Sequence, residues 1–544
     1  MTLPQLFKNI SKGEWVFVAL LSAALMVITT APAVYGWLYT PPDHIFTAMH
    51  FVSADDWFVY YSLINQGKAG QLLFNDLFAA VPHLAVLRPE WLVVSWLAAA
   101  FNLPAPVAFH LARITLIPPL VAVSYLFLSY FFKDLLWRKF ALSMLLFSSG
   151  VGVIFIYRLF LYPTNFFVDH FRWPMDLWVP DINTFLTMFT SPHFIIGTIL
   201  LFAILLLTVL FVEAWRFSYA LWSGVLALAL FWIHPFQVIK LFLVMGAFFG
   251  CLMLRDKKLD WRLVRYGAIV SVLSSPAIGY YLWLLKVDWL TAQRALQNIN
   301  PTTPLYLTLV SFGGLGICAV GAAWYLIREK KIWQTPYLLL IAWALAQLAM
   351  LYAPIAYQRR TGLGFHFPLV VLAVFGMGHL YQRYHGFIHK HAAMVVVSGL
   401  LIFLPSTLFA LAADVMVYSQ QREDSYLHLD EYEGYTWLRE HTAAGSIIFS
   451  SVRTGNILPA YALRTSYVGH AVETPLFNDK KIEPSWFFAS NREKTIEQAF
   501  LRERGIDYLF YGARERKLGV YDPAIKTYLL SVYESETVSI YQVL

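Results

Sequence analysis

Charge is scarce in this chain. Only 13% of its 544 residues are Asp, Glu, Lys or Arg, whereas 59% are hydrophobic and 17% aromatic. A soluble protein of this length has no use for so much apolar surface. Repeated apolar runs of about 20 residues match the length a helix needs to cross a hydrocarbon core. Cysteine is nearly absent. Cys251 and Cys318 both sit in apolar runs, which excludes a disulfide framework and a thiolate metal site. Metal-ligand patterns such as HExxH are missing, and no internal repeat is visible, which weighs against an inverted-repeat transporter. The excess of base, a net charge of +7, lies between the apolar runs. That distribution fits cytoplasmic loops and anionic lipid headgroups rather than a nucleic-acid partner.

What is present is a series of apolar runs with a polar tail. Lys8 and Lys12 precede the first run, 14–37, and place the N-terminus in the cytoplasm. This run is too long for a signal-peptide core and is expected to remain as the first spanning helix. A long outer loop follows, 38–104. It holds a shorter apolar piece, 91–101, expected to lie at the membrane interface. Spanning helices are expected at 106–132 and 140–157. A second outer loop, 158–191, follows, in which aromatics and acids alternate as on a headgroup-level surface. Further helices are expected at 192–210, 219–233, 236–254, 263–285, 305–327, 335–357, 365–381 and 392–412. The total is about eleven crossings. Lys133, Arg138, Lys139 and the later RDKKLDWR, REKK and QRYHGFIHKH turns then all fall inside. From about Val417 charge becomes frequent and apolar runs shorten. DEYEGYTWLREH and REKTIEQAFLRER carry helical periodicity, while SIIFSS, IDYLFYG and VSIYQVL read as strands. The expected fold is a polytopic α-helical membrane protein. It has a transmembrane domain, 1–416, and a small α/β domain, 417–544, on the outer side.

Within this frame some polar residues need a reason. Asp55 and Asp56 stand side by side in ADDWFVYYSLINQGKAG, shortly after the first run. One reading is a general base at the membrane surface. The other is capping, because Ser53-Ala54-Asp55-Asp56 fits a Ser-x-x-Asp helix start. Lys240 lies about one turn into an apolar run, beside His234, where an ionisable group suggests a lipid-phosphate contact; snorkelling to headgroups is the structural alternative. Arg359 and Arg360 follow a helix on the outer side, against the charge bias, and two guanidiniums suit a phosphate. Arg113, near the outer end of the second helix, is of the same kind. Asp43, His44, His50, Asp169, His170, Asp176, Asp181 and His193 mix carboxylate with imidazole, as a divalent-metal site does, but at irregular spacing. No cofactor is called for with certainty. In the tail, TGNILPAYALRTSYVGHAVETP offers Gly455, Asn456, Gly469, His470, Glu473 and Thr474 as loop residues presented by strands. Asn456, His470 and Glu473, with His193 and His234, are candidate substrate contacts, with turn chemistry as the alternative.

Taken together, these pieces resemble the C-type membrane glycosyltransferase superfamily. The resemblance is nearest to the family 39 protein mannosyltransferase type and related bacterial membrane proteins. ADDWFVYYSLINQGKAG, FHLARITL, PDINTFLTMFTSPHF, IHPF, QRRTGLGFHFPL and TGNILPAYALRTSYVGHAVETP carry it. It implies transfer of a sugar from a polyprenyl-phosphate-linked donor to an acceptor hydroxyl of a glycan, lipid or protein. Transfer would occur on the outer face of a prokaryotic inner membrane, with inversion at the anomeric carbon. It maps the family's catalytic acid onto Asp55 or Asp56, with Asp55 as the first acid of the motif. The superfamily often has Asp-Glu where this chain has Asp-Asp. Arg113, Lys240, Arg359 and Arg360 would bind the lipid phosphate. The competing functions are a transporter or flippase of a lipid-linked sugar, and a non-catalytic membrane scaffold.

Overall fold

The computed structural model describes residues 1–156 and 173–544. Every expected apolar run contains helix among the described residues. Among the described residues, seven helices are long and apolar enough to cross a membrane: Lys12–Leu38, Ala105–Phe131, Leu135–Phe155, Pro192–Ala214, Gln237–Asp256, Trp261–Val287 and Leu305–Arg328. An eighth arises if Ala392–Phe403 and Pro405–Ser419, bent by 57° at Pro405, form one span. Phe217–Ile233 and Thr335–Leu351 are apolar but shorter. The chain is a multi-pass membrane protein.

It divides into two compact units. The first comprises Met1–Pro32, Ala112–Tyr281 and Asn300–Asp414. Its helices pack in pairs, such as Pro192–Ala214 on Phe217–Ile233 and Gln237–Asp256 on Thr335–Leu351. An aromatic stack fills its centre. Phe127 lies 4.4 Å from Phe367 and near-parallel to it, and Trp343 stacks on Phe367 at 5.5 Å. Arg138 is buried and paired with Glu14 at 2.5 Å. One expectation is overturned here. Residues 173–191 do not form a headgroup-level surface. They are buried throughout, and Trp173, Met175, Leu177 and Ile182 pack with Phe312, Leu351 and Phe365. The alternation of aromatics and acids arises because each acid is buried with partners while the aromatics fill the core.

The second unit comprises Ala33–Leu111, Leu282–Ile299 and Val415–Leu544. Strands β1 (His44–Phe46) and β2 (Tyr426–His428) pair antiparallel, so the segment after the first helix joins the C-terminal segment. A second sheet runs in the order β4-β3-β5-β7-β6. Its strands are β3 (Ile447–Phe449), β4 (Thr465–Ser466), β5 (Tyr508–Tyr511), β6 (Leu529–Glu534) and β7 (Ser539–Val543). β3 is parallel to β4 and β5, while β7 runs antiparallel between β5 and β6. β-branched and aromatic residues dominate these strands, as suits a half-buried pleated surface. Phe449, Phe487, Phe488 and Phe500 form the core beside them. The helices expected around Trp437 and Phe500 are present as Leu429–His441 and Lys494–Glu503.

TGNILPAYA is not a loop. Residues Val452–Ala462 form a helix, despite Pro459, because Ser451 caps it: its Oγ accepts from the Thr454 N–H at 3.2 Å. The piece 91–101 forms a helix, Pro89–Ala100, of 12 residues. It buries Trp91 and Val94 and leaves the apolar Val93, Trp96 and Leu97 exposed.

Candidate catalytic site

The helix Asp56–Lys68 anchors the acid pair. It buries Trp57, Phe58, Tyr61 and Ile64, and Trp57 Nε1 donates to the Val52 carbonyl at 3.1 Å. Tyr60 stacks on Trp91 of the Pro89–Ala100 helix at 4.7 Å. Asp55 is the N-cap residue, yet its side chain makes no cap hydrogen bond. Its carboxylate instead accepts from Arg453 Nη1 at 2.5 Å. The same guanidinium grips Asp424 through Nε, also at 2.5 Å. Arg453 is therefore held between two carboxylates, and the Asp55 side chain stays 54% exposed. Asn456 Nδ2 donates to the Asp55 carbonyl at 3.2 Å.

Asp56 turns the other way, as successive helical residues do, about 100° apart. Its Oδ1 lies 3.0 Å from His470 Nε2. His470 is buried, and its Nδ1 accepts the backbone N–H groups of Val472 and Glu473, at 3.2 and 3.1 Å. The ring proton therefore sits on Nε2 and is donated to Asp56. Burial disfavours a charged ring, but the hydrogen bond and charge of Asp56, helped by Glu473 and Asp55, outweigh it and raise the pKa. The two amides at Nδ1 act against a second ring proton.

Backbone approach makes this contact geometrically possible. A Cβ on Gly455 would meet the Val468 carbonyl oxygen at 2.0 Å, and one on Gly469 the Gly455 oxygen at 2.3 Å. Glycine at both positions lets the His470 loop lie directly on the Val452–Ala462 helix. Behind His470, Glu473 pairs with Arg294, which also lies 3.3 Å from Asp76. Burial pushes Asp76 up to about 6, against the pull of Arg294. For Glu473 burial also acts upward, but Arg294, His470 and Arg88 prevail and hold it below the usual carboxylate range.

In the first unit a second cluster forms around the short 3-10 helix Gln358–Gly362. Arg359 lies over the Trp178 ring at 4.5 Å. Arg360 lies 3.6 Å from Asp181 and over Phe194. Gln237 donates to the Arg360 carbonyl at 2.8 Å. Lys240 is buried and donates to the Leu363 carbonyl at 2.7 Å, so it does not snorkel outward. His234 Nε2 meets the His193 carbonyl at 2.9 Å, and His193 Nδ1 the Ser191 hydroxyl at 2.6 Å. Burial pushes Asp181 up to about 6, with Arg360, Lys240 and Arg359 pulling it down. Arg113 lies in the same unit. Its guanidinium is buried and clamps the Met188 and Thr29 carbonyls, at 3.0 and 3.1 Å.

The candidates thus fall into two sets. Asp55, Asp56, Asn456, His470 and Glu473 belong to one unit; His193, His234, Lys240, Arg359 and Arg360 belong to the other. The sequence reading missed Arg453, Asp424, Arg294 and Asp76. Asp169 and His170 lie outside the described residues. Among the described residues no three His, Cys, Asp or Glu groups stand where they could share a metal ion.

No protein-family profile matches the chain, and no curated protein matches it in sequence. Solved structures do match its fold. The oligosaccharyltransferase of Archaeoglobus fulgidus in its apo form aligns with a TM-score of 0.55 and 12% identity, over 92% of this chain and 70% of that one. ArnT from Cupriavidus metallidurans in the apo state aligns with a TM-score of 0.53 and 12% identity, over 97% and 98%. The arabinofuranosyltransferase AftD from Mycobacteria gives 0.52 and 14%, over 97% of this chain and 41% of that one. These are C-type membrane glycosyltransferases. At such identities the likeness is one of fold.

Proposed function

We propose that this chain, built on the fold of the C-type membrane glycosyltransferases, transfers a glycosyl group from a polyprenyl-phosphate-linked donor to an acceptor hydroxyl. The observation that carries this reading is the disposition of Asp55. Its carboxylate does not cap the helix it begins, is half-exposed, and is fixed in place by Arg453. A fixed, accessible carboxylate on a rigid helix is what a general base requires. The acceptor hydroxyl gives its proton to Asp55 as its oxygen attacks the anomeric carbon. The bond from that carbon to the phosphate oxygen breaks, and polyprenyl phosphate leaves with the electron pair. A single displacement of this kind inverts the anomeric centre. We assign Arg359 and Arg360, in the other unit, to binding of a lipid phosphate, as two adjacent guanidiniums suit that group.

Asp56 and His470 then act as anchors of the Asp55 helix rather than as the base. Lys240 would contribute its charge to the donor site and hold the Leu363 end of the arginine-bearing turn. Arg113 would stiffen the helices behind it. The oligosaccharyltransferase, ArnT and AftD folds support a transferase over a flippase or a scaffold. The reading also places the N-terminus in the cytoplasm of a prokaryote, the Val417–Leu544 region outside the inner membrane, and about eleven crossings between them.

Sugar transfer from a polyprenyl-phosphate donor by the purified chain in detergent tests the reading. Turnover that Asp55→Asn removes is expected. Substrate movement across vesicles with no transfer would mean a flippase instead.

A further inference from the structure

A cavity of about 560 Å³ opens in the second unit beside the Asp55–Arg453 ion pair. Its volume lies in the range of small-molecule sites, about 300–1,000 Å³. Its wall carries Arg422, Arg453, Arg514 and Lys517 against only Glu423 and Asp424. Ser451 and Val452, at the start of the Val452–Ala462 helix, also line it. The first amides of any helix lack intrahelical acceptors, and its N-terminal end carries positive potential. Arg514 adds a sharper signal. Its side chain is 8% exposed and pairs with buried Glu431 through Nη1 at 2.7 Å, while Nη2 donates to the Glu423 carbonyl. Its Nε has no hydrogen-bond partner and meets Glu423 Oε2 only as an ion pair at 3.5 Å. A buried guanidinium N–H that makes no hydrogen bond and faces the exposed Glu423 carboxylate at 3.5 Å is a seat that a ligand oxyanion takes by displacing Glu423.

We propose that this cavity is the acceptor subsite and that it takes an acidic sugar, one bearing a carboxylate or phosphate near the hydroxyl that receives the glycosyl group. The link to chemistry is Arg453. One guanidinium both walls the cavity and holds Asp55, so a sugar seated there lies a single side chain away from the base. Lys517 is exposed and paired with Glu423 at the rim, where it can exchange that partner for a ligand anion. Arg422 stands beside it on the same wall. The inference rests on the glycosyl-transfer reading above, but its test does not depend on turnover.

The test is binding to the full-length chain in nanodiscs, without donor, followed by titration of glucuronate, glucose 6-phosphate, glucose and inorganic phosphate. The two acidic sugars are expected to bind about tenfold or more tighter than glucose and inorganic phosphate. Lys517→Glu and Arg422→Glu should each weaken them by about ten- to a hundredfold, the size of a lost charge-assisted contact. Asp55→Asn should leave their binding intact. Glucose binding as well as the acids, or acid binding unchanged in both reversals, overturns the proposal. Inorganic phosphate binding as tightly as glucose 6-phosphate overturns the acceptor assignment and leaves a simple anion site. If the acids fail to bind while Asp55→Asn still removes transfer, only this inference falls. If acid binding behaves as expected while Asp55→Asn transfers normally, the catalytic reading falls instead.

Discussion

Asp55 and Asp56 are neighbours in sequence but have separate partners, Arg453 and His470. That separation makes their roles distinguishable. Asparagine keeps the size of aspartate and is nearly as good a cap. A base, by contrast, contributes about 10²–10⁴-fold to the rate. Asp55→Asn should therefore lower transfer by about 10²–10⁴-fold while the protein inserts and purifies normally. Asp56→Asn should cost far less, because an asparagine oxygen still accepts the His470 Nε2–H. Equal, small losses in both variants would remove the case for a base. His470→Ala probes the anchor from the other side. It leaves Asp56 without its described partner and two inward amides without an acceptor, a loss of about 1–3 kcal/mol for a buried group. A fall in thermal midpoint is expected to exceed any change in kcat for this variant; the reverse result would make His470 itself a reacting group. The acid pair is legible in sequence because adjacent charges beside an apolar run stand out. Arg453 is not, because its partner lies 398 residues away along the chain.

At the level of elements, the short turn Gln358–Gly362 decides whether the arginine pair can serve a phosphate. Lys240 and Gln347 both donate to the Leu363 carbonyl, so this turn is tied down from two helices. Arg359→Ala and Arg360→Ala should each weaken binding of the lipid-phosphate donor by about 1.5–3 kcal/mol, the range for a hydrogen bond to a charged group. Lys240→Met should also weaken donor binding, yet leave the turn in place, because Gln347 keeps its bond. Competition by polyprenyl phosphate measures all of them. Unchanged affinity in both arginine variants would assign the pair to Trp178 and Asp181 alone. Elements with strong periodicity, such as Leu429–His441, are legible from sequence. Two are not. The helix Val452–Ala462 is disguised by Gly455 and Pro459, which read as turn residues until the close backbone contact of Gly455 with Val468 is seen. Residues 173–191 read as surface because Asp176 and Asp181 are charged types, whereas burial partners allow both inside.

For the whole molecule the decisive quantity is the number of crossings before each basic turn. The positive-inside rule counts Lys and Arg near the membrane, so one misassigned crossing would invert every later turn. The helix Pro89–Ala100 is the pivot. Its 12 residues extend only about 18 Å at 1.5 Å per residue, short of the roughly 30 Å hydrocarbon core. We propose that it is interfacial, which would keep the REKK turn cytoplasmic and the Val417–Leu544 region outside. Two introduced cysteines separate the alternatives in a background lacking Cys251 and Cys318. Gly445 is suited to one, since a Cβ there meets nothing within 4 Å; Glu329, in the exposed REKK turn, is suited to the other. In intact cells a membrane-impermeant maleimide should label Gly445→Cys and spare Glu329→Cys until the membrane is opened. Labelling of Glu329→Cys together with protection of Gly445→Cys would mean that Pro89–Ala100 crosses the bilayer. β1 pairs with β2 and Asp55 with Arg453, so the acid pair lies on the same side of the membrane as the Val417–Leu544 region, and that outcome would break both contacts. The side assigned to the C-terminal sheet, and with it the outer location of transfer, would then have to be abandoned.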